Sequence, residues 1–280
     1  MTTSSTSAPG ANPSSSSSST LPTFETTFAV PLSCDSCISD ITTALQQNVP
    51  GIQNITASLK DQIVSITGNA APSAIVSAIE ATGRDAILRG SGKAESAAVC
   101  ILETHAESVA LHEQVRGLVR MVEVVPKDTQ GKDAEGREAL VLADMTLKGV
   151  AEGKYNVSVR ETGNISQGPR SVGGVWDWFR AKEENRKGKD VKGVFGTIEV
   201  GKNGMGSSFV DRPVRIWELI GRSMVVSRAE FGKEEKEDEN CLVGVIARSA
   251  GVWDNNKTVC SCSGKTVWEE RKEQRGKGML

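Results

Sequence analysis

The chain of 280 residues contains only two histidines, His105 and His112. No site built from several imidazoles can be assembled from so few. Aromatic residues are scarce as well, at 4%, so any core must rest on Val, Ile, Leu and Ala. Neither sign of charge is in excess: 33 Lys and Arg stand against 35 Asp and Glu, a formal net charge of −2. A protein that coats nucleic acid carries a strongly basic face, so nucleic acid is not an expected partner. No run approaches the ~18 consecutive apolar residues that cross a bilayer, which argues against stable membrane insertion. The six cysteines are too few for a disulfide framework in a chain of this length. Four of them form two tight pairs, Cys34/Cys37 and Cys260/Cys262. Such pairs read as metal or redox chemistry in a reducing compartment.

Domains of roughly 100–200 residues are usual, so the length allows one large or two small domains plus tails. Residues 1–22 include 13 Ser or Thr, one Leu and no charge. That composition cannot bury enough apolar surface to offset its ordering entropy, and a disordered tail is expected. The segment lacks the basic start and apolar centre of a secretory signal and the arginines of a mitochondrial presequence. The cytoplasm is the expected compartment.

Residues 23–90 read as one small α/β unit. Phe24, Thr26, Phe28, Val30 and Leu32 alternate as a strand with one buried face. Ile38, Ile41, Ala44, Leu45 and Val49 then recur at helical spacing, and Pro50-Gly51 ends that helix. Ile55, Ala57 and Leu59 alternate again, and residues 60–62 turn into a strand over 63–66. Pro72 suits a helix's first turn, Ile75, Ala78 and Ile79 form its inner stripe, and Gly83 closes it. Residues 85–89 supply a last strand. The order β-α-β-β-α-β is that of a ferredoxin-like sandwich.

Cys34 and Cys37 lie where the first strand hands over to the first helix. Backbone N–H groups and the helix dipole there favour thiolate over thiol. Two soft thiolates with no histidine or carboxylate between them suit Cu(I) better than hard cations. Two other readings of the spacing are a buried structural pair and a thioredoxin-like redox pair, although Asp35-Ser36 supplies no proline for the latter. A structural zinc site needs four ligands, and this unit offers two. The string Leu32-Ser33-Cys34-Asp35-Ser36-Cys37 on this topology resembles the heavy-metal-associated copper-chaperone domain. Leu32 stands where that family usually has Met, a change that keeps the packing volume.

Residues 95–250 read as β-rich. Strands are expected over 97–102, 115–125, 139–147, 155–159 and 224–227, separated by Gly- and charge-rich loops, as in a sandwich or barrel. Residues 180–192 and 228–239 are densely charged and read as solvated loops. The string from Gly153 to Asn164 resembles the segment of copper/zinc superoxide dismutases that supplies two copper histidines, and that from Ile220 to Ser227 resembles the strand ending in another. Gly244-Val245-Ile246-Ala247 matches that family's last strand. The resemblance puts Ser158, Arg160 and Ser227 at the copper-imidazole positions, and no histidine lies between Gly163 and Trp178. It therefore implies a barrel without dismutase activity and without a zinc site. Val243 stands where the family's disulfide would have its second cysteine. Cys100 and Cys241 read as inert packing or loop cysteines, and His105 and His112 fall outside the matching positions. What the resemblance retains is a docking surface: Gly163, Ile220, Gly221, Gly244, Ile246 and Arg248 match interface positions, with Trp217 as an added aromatic anchor.

Residues 251–280 are too few for an independent core and read as a short flexible tail carrying Cys260-Ser261-Cys262. A Cys-x-Cys pair in extended chain can grip one Cu(I) or close a strained, oxidising disulfide. Over residues 24–272 the chain resembles the copper chaperones for superoxide dismutase, in a fungal form. The expected architecture is multidomain: a ferredoxin-like α+β domain, an all-β Greek-key sandwich or barrel, and the tail.

The resemblance implies Cu(I) as cargo, taken from a copper importer or another copper donor. It also implies a heterodimer with copper/zinc superoxide dismutase and oxidation of the client's intrasubunit cysteine pair. Metal ligation would fall to Cys34, Cys37, Cys260 and Cys262, with thiol exchange at the last two. The mitochondrial intermembrane space is a second compartment consistent with it. A thiol-disulfide oxidoreductase and a passive copper-binding protein are the alternatives from other classes.

Overall fold

The computed structural model describes residues 21–125, 139–187 and 190–252, together with Glu269, Lys272 and Glu273. The serine-rich segment up to residue 20 and the Cys260/Cys262 pair lie outside the described residues.

The first unit runs β1 (Phe24–Ala29), α1 (Asp35–Asn48), β2 (Ile52–Ser58), β3 (Ile63–Gly68), α2 (Pro72–Glu80) and β4 (Ile87–Ser91). Its antiparallel sheet has the order β2-β3-β1-β4. Both helices bury their apolar stripe on one face of it, with Ile41 and Leu45 of α1 and Ile75 and Ile79 of α2 closing over Phe28, Val64 and Ile66. Full burial of one such aliphatic side chain contributes about 1.5–3 kcal/mol. The strand expected to continue to Leu32 stops at Ala29, because Pro31 has no N–H for a ladder.

The second unit is a closed eight-stranded barrel. Its strands are β5 (Ala97–Thr104), β6 (Val115–Val124), β7 (Leu140–Lys148), β8 (Gly153–Val159), β9 (Val194–Val200), β10 (Met205–Arg212), β11 (Ser223–Ser227) and β12 (Leu242–Ser249). They follow one another around the barrel as β10-β7-β6-β5-β12-β11-β8-β9, and the β9–β10 pair closes the circle. Non-sequential neighbours such as β7 and β10 make the connections Greek-key in character. Strands β9 and β10 and the short helices α3 (Trp178–Glu183) and α4 (Ile216–Leu219) add to the expected elements. Tyr155, Val157 and Val159 of β8 point inward against Phe195, Ile198, Met224 and Val226. Outside the barrel wall a second, smaller cluster of Val172, Val225, Cys241 and Val243 packs beneath the covering loops.

The two units are joined by packing as well as by chain. Phe24 leaves the first sheet to pack on Val122, Val124 and Leu142 of the barrel. Helix α2 has no side-chain cap of its own. Asp144 of β7 supplies one from the other unit, accepting from Ser73 N at 2.8 Å and Ser73 Oγ at 2.6 Å. That buried carboxylate satisfies an orphan donor of the helix and sits at its positive end. The chain leaving β12 then crosses β4. Val252 N donates to Gly92 O at 2.9 Å, and a Cβ on Gly90 would fall 2.1 Å from Gly251 O. Segment 250–252 is thereby held between both units.

Candidate metal centre and partner surface

Cys34 is the N-cap residue of α1, and Cys37 lies in the helix's first turn. Their Sγ atoms are 3.4 Å apart. Cys34 is exposed while Cys37 is 7% exposed and belongs to the domain core. The approach to this turn is fixed from below by Gln62, which bridges segment 30–32. Its Nε2 donates to Leu32 O, its Oε1 accepts from Leu32 N at 2.7 Å, and its own carbonyl accepts from Val30 N at 2.9 Å. Leu32, in the place of the family's Met, is buried in the same core.

Electrostatics make Cys37 a thiolate near neutrality. Hydrogen bonding from the Ser33 side chain and backbone lowers its pKa first, then the Arg84 guanidinium, then Cys34, and together they bring it to about 6. Arg84 is itself pushed up, chiefly by Cys37 and further by Asp40, whose Oδ2 it meets at 3.0 Å. Arg84 is a site residue that the sequence pattern does not single out. Its one signal is a lone cation directly after Gly83, the helix terminator. Among the described residues no group of three or more His, Cys, Asp or Glu could hold a metal ion. The centre is thus a two-sulfur site, open on the Cys34 side.

The other cysteines behave differently. Burial pushes the thiols of Cys100 and Cys241 up to about 12. Val243 is fully buried beside Cys241. The three positions matched to copper imidazoles do come together with their neighbours, but as a closed polar cluster. Arg160 Nε donates to Ser158 Oγ at 2.9 Å, and its Nη2 pairs with Glu234. Ser227 hydrogen-bonds Cys241. No imidazole reaches this cluster: His112 is exposed beside Glu113, and His105 packs near Gly168. The donors present do not fit a copper–zinc pair.

Each of the two units matches a known family: the heavy-metal-associated domain over residues 27–85, and copper/zinc superoxide dismutase over residues 124–246. At full length it is 40% identical over 259 residues to the superoxide dismutase 1 copper chaperone of Saccharomyces cerevisiae, covering 90% of this chain and 95% of that one. The chain belongs to the superoxide dismutase copper chaperone family. The Kluyveromyces lactis member is 42% identical over 252 residues, covering 89% of this chain and 94% of its own. The Homo sapiens member is 29% identical over 268 residues, covering 90% of both chains.

Within this family member the expected interface residues divide. Gly163 and Gly221 lie back to back, so close that a Cβ on Gly163 would stand 2.3 Å from Gly221 O and 3.5 Å from Val245 Cγ1. Gly221 has φ +80° and donates its N–H to Ile246 O at 2.9 Å. Trp217, on α4, is 64% exposed and is no core tryptophan, while Ile220 is half-buried against the barrel core. Arg248 is exposed at the end of β12 and lines, with Trp217 and Val252, a cavity of about 680 Å³ between the units.

Gly244 and Ile246 face the other way. The Ile246 side chain is in the barrel core, and a Cβ on Gly244 would strike Ile101 O at 1.9 Å. Strand alternation is the reason: 244 and 246 point inward, so 245 points out. The exposed apolar neighbours on that face are Val245 and Ile101, neither of which is among the residues matched individually to the interface; Ile101 is 52% exposed. Among the described residues no helix is long and apolar enough to cross a membrane.

Proposed function

We propose that this protein takes up Cu(I) on Cys34 and Cys37, docks its barrel on copper/zinc superoxide dismutase as a heterodimer, and delivers the ion by thiolate exchange. The observation that carries the reading is one chain in which a two-sulfur, low-pKa centre is joined to a dismutase-like barrel lacking a dismutase's ligands. A sulfur-bound metal stands about 2.3 Å from each sulfur, so exposed Cys34 has only to rotate outward from its 3.4 Å contact to admit the ion. Copper on two thiolates passes to an incoming thiolate through three-coordinate intermediates and never enters solution. Soft-metal affinity then holds the cargo without blocking its release. The client-facing surface is assigned to Gly163, Trp217, Ile220, Gly221 and Arg248, with Val245 and Ile101 beside them. Gly244 and Ile246 support this surface from within.

The Cys260/Cys262 pair is assigned to the client's metal site and cysteines. When oxidised, its disulfide can accept two electrons from the client's cysteine pair, leaving a client disulfide and two tail thiols. Zinc has no role in the barrel on this reading, a copper importer or another carrier loads the first thiol pair, and the cytoplasm and mitochondrial intermembrane space are the working compartments.

Two measurements test the proposal. Metal-free dismutase is mixed with the protein on gel filtration, and Trp217→Glu and Gly221→Glu are each expected to weaken association at least tenfold, about 1.4 kcal/mol or more. Undiminished association of both variants rejects the assigned surface. Activation of metal-free dismutase by the copper-loaded protein under a Cu(I) chelator then compares Cys34→Ser/Cys37→Ser with Cys260→Ser/Cys262→Ser. The second is expected to be the worse, and full activation by it rejects the tail's role.

A further inference from the structure

The outer face of the barrel, under the loops that follow β8 and β11, is where the dismutase likeness calls for copper. What this chain builds there is an ion pair. The Arg160 and Glu234 side chains are 3% and 4% exposed, so both are removed from water. Arg160 is held at two further points: its Nε donates to Ser158 Oγ at 2.9 Å, and its backbone N donates to Ser223 O at 2.8 Å. Glu234 comes from the loop between β11 and β12, and its second oxygen accepts from Gly232 N at 2.8 Å. Around the pair stand Ser227 and Cys241, and the apolar cluster of Val172, Val225 and Val243 seals the rest.

We propose that the Arg160–Glu234 pair is a guard: it cross-links the covering loop to β8 in place of a metal and keeps metal ions off the barrel. Chemistry favours a guanidinium for both tasks. It stays charged at every physiological pH and offers several donors in a fixed plane. A histidine at 160 would lose its proton near neutrality and become a ligand, whereas arginine presents a permanent positive charge to any arriving cation. Its carboxylate partner is thereby occupied, so the buried oxygen atoms of Glu234 are not free to gather a metal. Removing either partner leaves the other uncompensated in a dry site, which ties the fold of the loop to the pair. The consequence for a copper carrier is that cargo resting on thiols cannot be stranded on a barrel that otherwise has a metalloprotein's shape.

The test places two imidazoles at the matched positions, Ser158→His and Ser227→His, with Cys34, Cys37, Cys260 and Cys262 changed to serine in every variant. Zn(II) is the probe, in competition with a fluorescent chelator. With the ion pair intact, Zn(II) binding is expected to be at least tenfold weaker than in the same protein carrying Arg160→Gln/Glu234→Gln. Equal affinities overturn the guard. A second measurement needs only Glu234→Gln in the otherwise native chain: amide exchange over residues 228–240 is expected to accelerate at least tenfold, with β5 to β7 unchanged. Unchanged exchange in that loop overturns the cross-link.

Discussion

Cys37 on one side, and Cys100 and Cys241 on the other, are all turned away from solvent, yet the fold moves their chemistry in opposite directions. Cys37 falls to about 6, with the Ser33 hydroxyl and backbone and the Arg84 guanidinium as the main causes. Cys100 and Cys241 rise to about 12, and desolvation is the leading cause for both. Depth alone does not decide between these outcomes. What separates them is the balance of the two effects. At Cys37 the Ser33 and Arg84 donors outweigh a small desolvation. At Cys100, mid-strand between β6 and β12, and at Cys241, desolvation outweighs the hydrogen bonds from Met224 and Ser227. One chain therefore keeps a thiol poised as thiolate beside a partner thiol, and two thiols that burial holds protonated.

The largest effect that could break this contrast concerns copper itself. In a background with Cys260 and Cys262 changed to serine, Cys34→Ser/Cys37→Ser is expected to abolish tight Cu(I) binding. Cys100→Ala and Cys241→Ala are expected to leave stoichiometry and affinity unchanged. Competition with a chromophoric Cu(I) chelator reads both. Copper retained by the first variant would mean that the buried thiols are ligands after all.

The second effect lies in the pH dependence of stability, and its sign differs between the sets. Cys37 has its folded value depressed, so its stabilising contribution is complete above the unfolded value near 9.0 and is lost as pH falls through about 6. Cys100 and Cys241 have raised folded values, so their contribution is complete below about 9.0 and is lost as pH climbs toward about 12. In the upper window each such thiol can cost about 1.4 kcal/mol per pH unit. Urea unfolding at pH 9 and pH 10.5 is expected to show a steeper loss for wild type than for Cys100→Ala. Parallel slopes would show that burial of Cys100 does not govern its ionisation.

Much of this arrangement is legible in the residues themselves. Period-two and period-3.6 patterning marks out β1, α1, β2 and α2, where apolar residues recur at the spacing of one face, and the turn over 60–62 and the helix terminator Gly83 bound β3 and β4. Patterning also marks five barrel strands. Strands β9 and β10 escape, since Gly196 and Gly206 interrupt their alternation and Lys202-Asn203 reads as a loop; a Cβ on Gly206 would stand 2.5 Å from Glu199 O, and Gly196 has φ +98°. Helix α3 is hidden in a charged stretch too short to show a period. Arg84 and Asp144 are invisible for a different reason. Each acts across a separation that only the folded chain closes, from 84 to 37 and from 144 to 73. Ile246 shows the converse error: matching a position to a family says where the backbone runs, while strand alternation decides which way the side chain points.

The smallest expected effect sharpens the contrast most, because it ranks the donors that create the reactive thiol. Ser33 is the leading cause of the depressed value at Cys37, and its Oγ lies 3.3 Å from the sulfur. Arg84 follows, tethered to Asp40 and to Thr82 O, so its position is set independently of the thiol. Ser33→Ala is therefore expected to raise the midpoint of Cys37 alkylation from about 6 toward the ordinary thiol range by more than Arg84→Ala does. Arg84→Lys should recover part of the loss, since a point charge remains while the planar fork does not. Iodoacetamide labelling between pH 5 and 9, resolved by peptide mass spectrometry, gives the midpoints, and Cys100 and Cys241 serve as internal controls that stay unlabelled in the folded protein. If Arg84→Ala moved the midpoint further than Ser33→Ala, the thiolate would owe its stability to charge across the domain rather than to the turn that holds it.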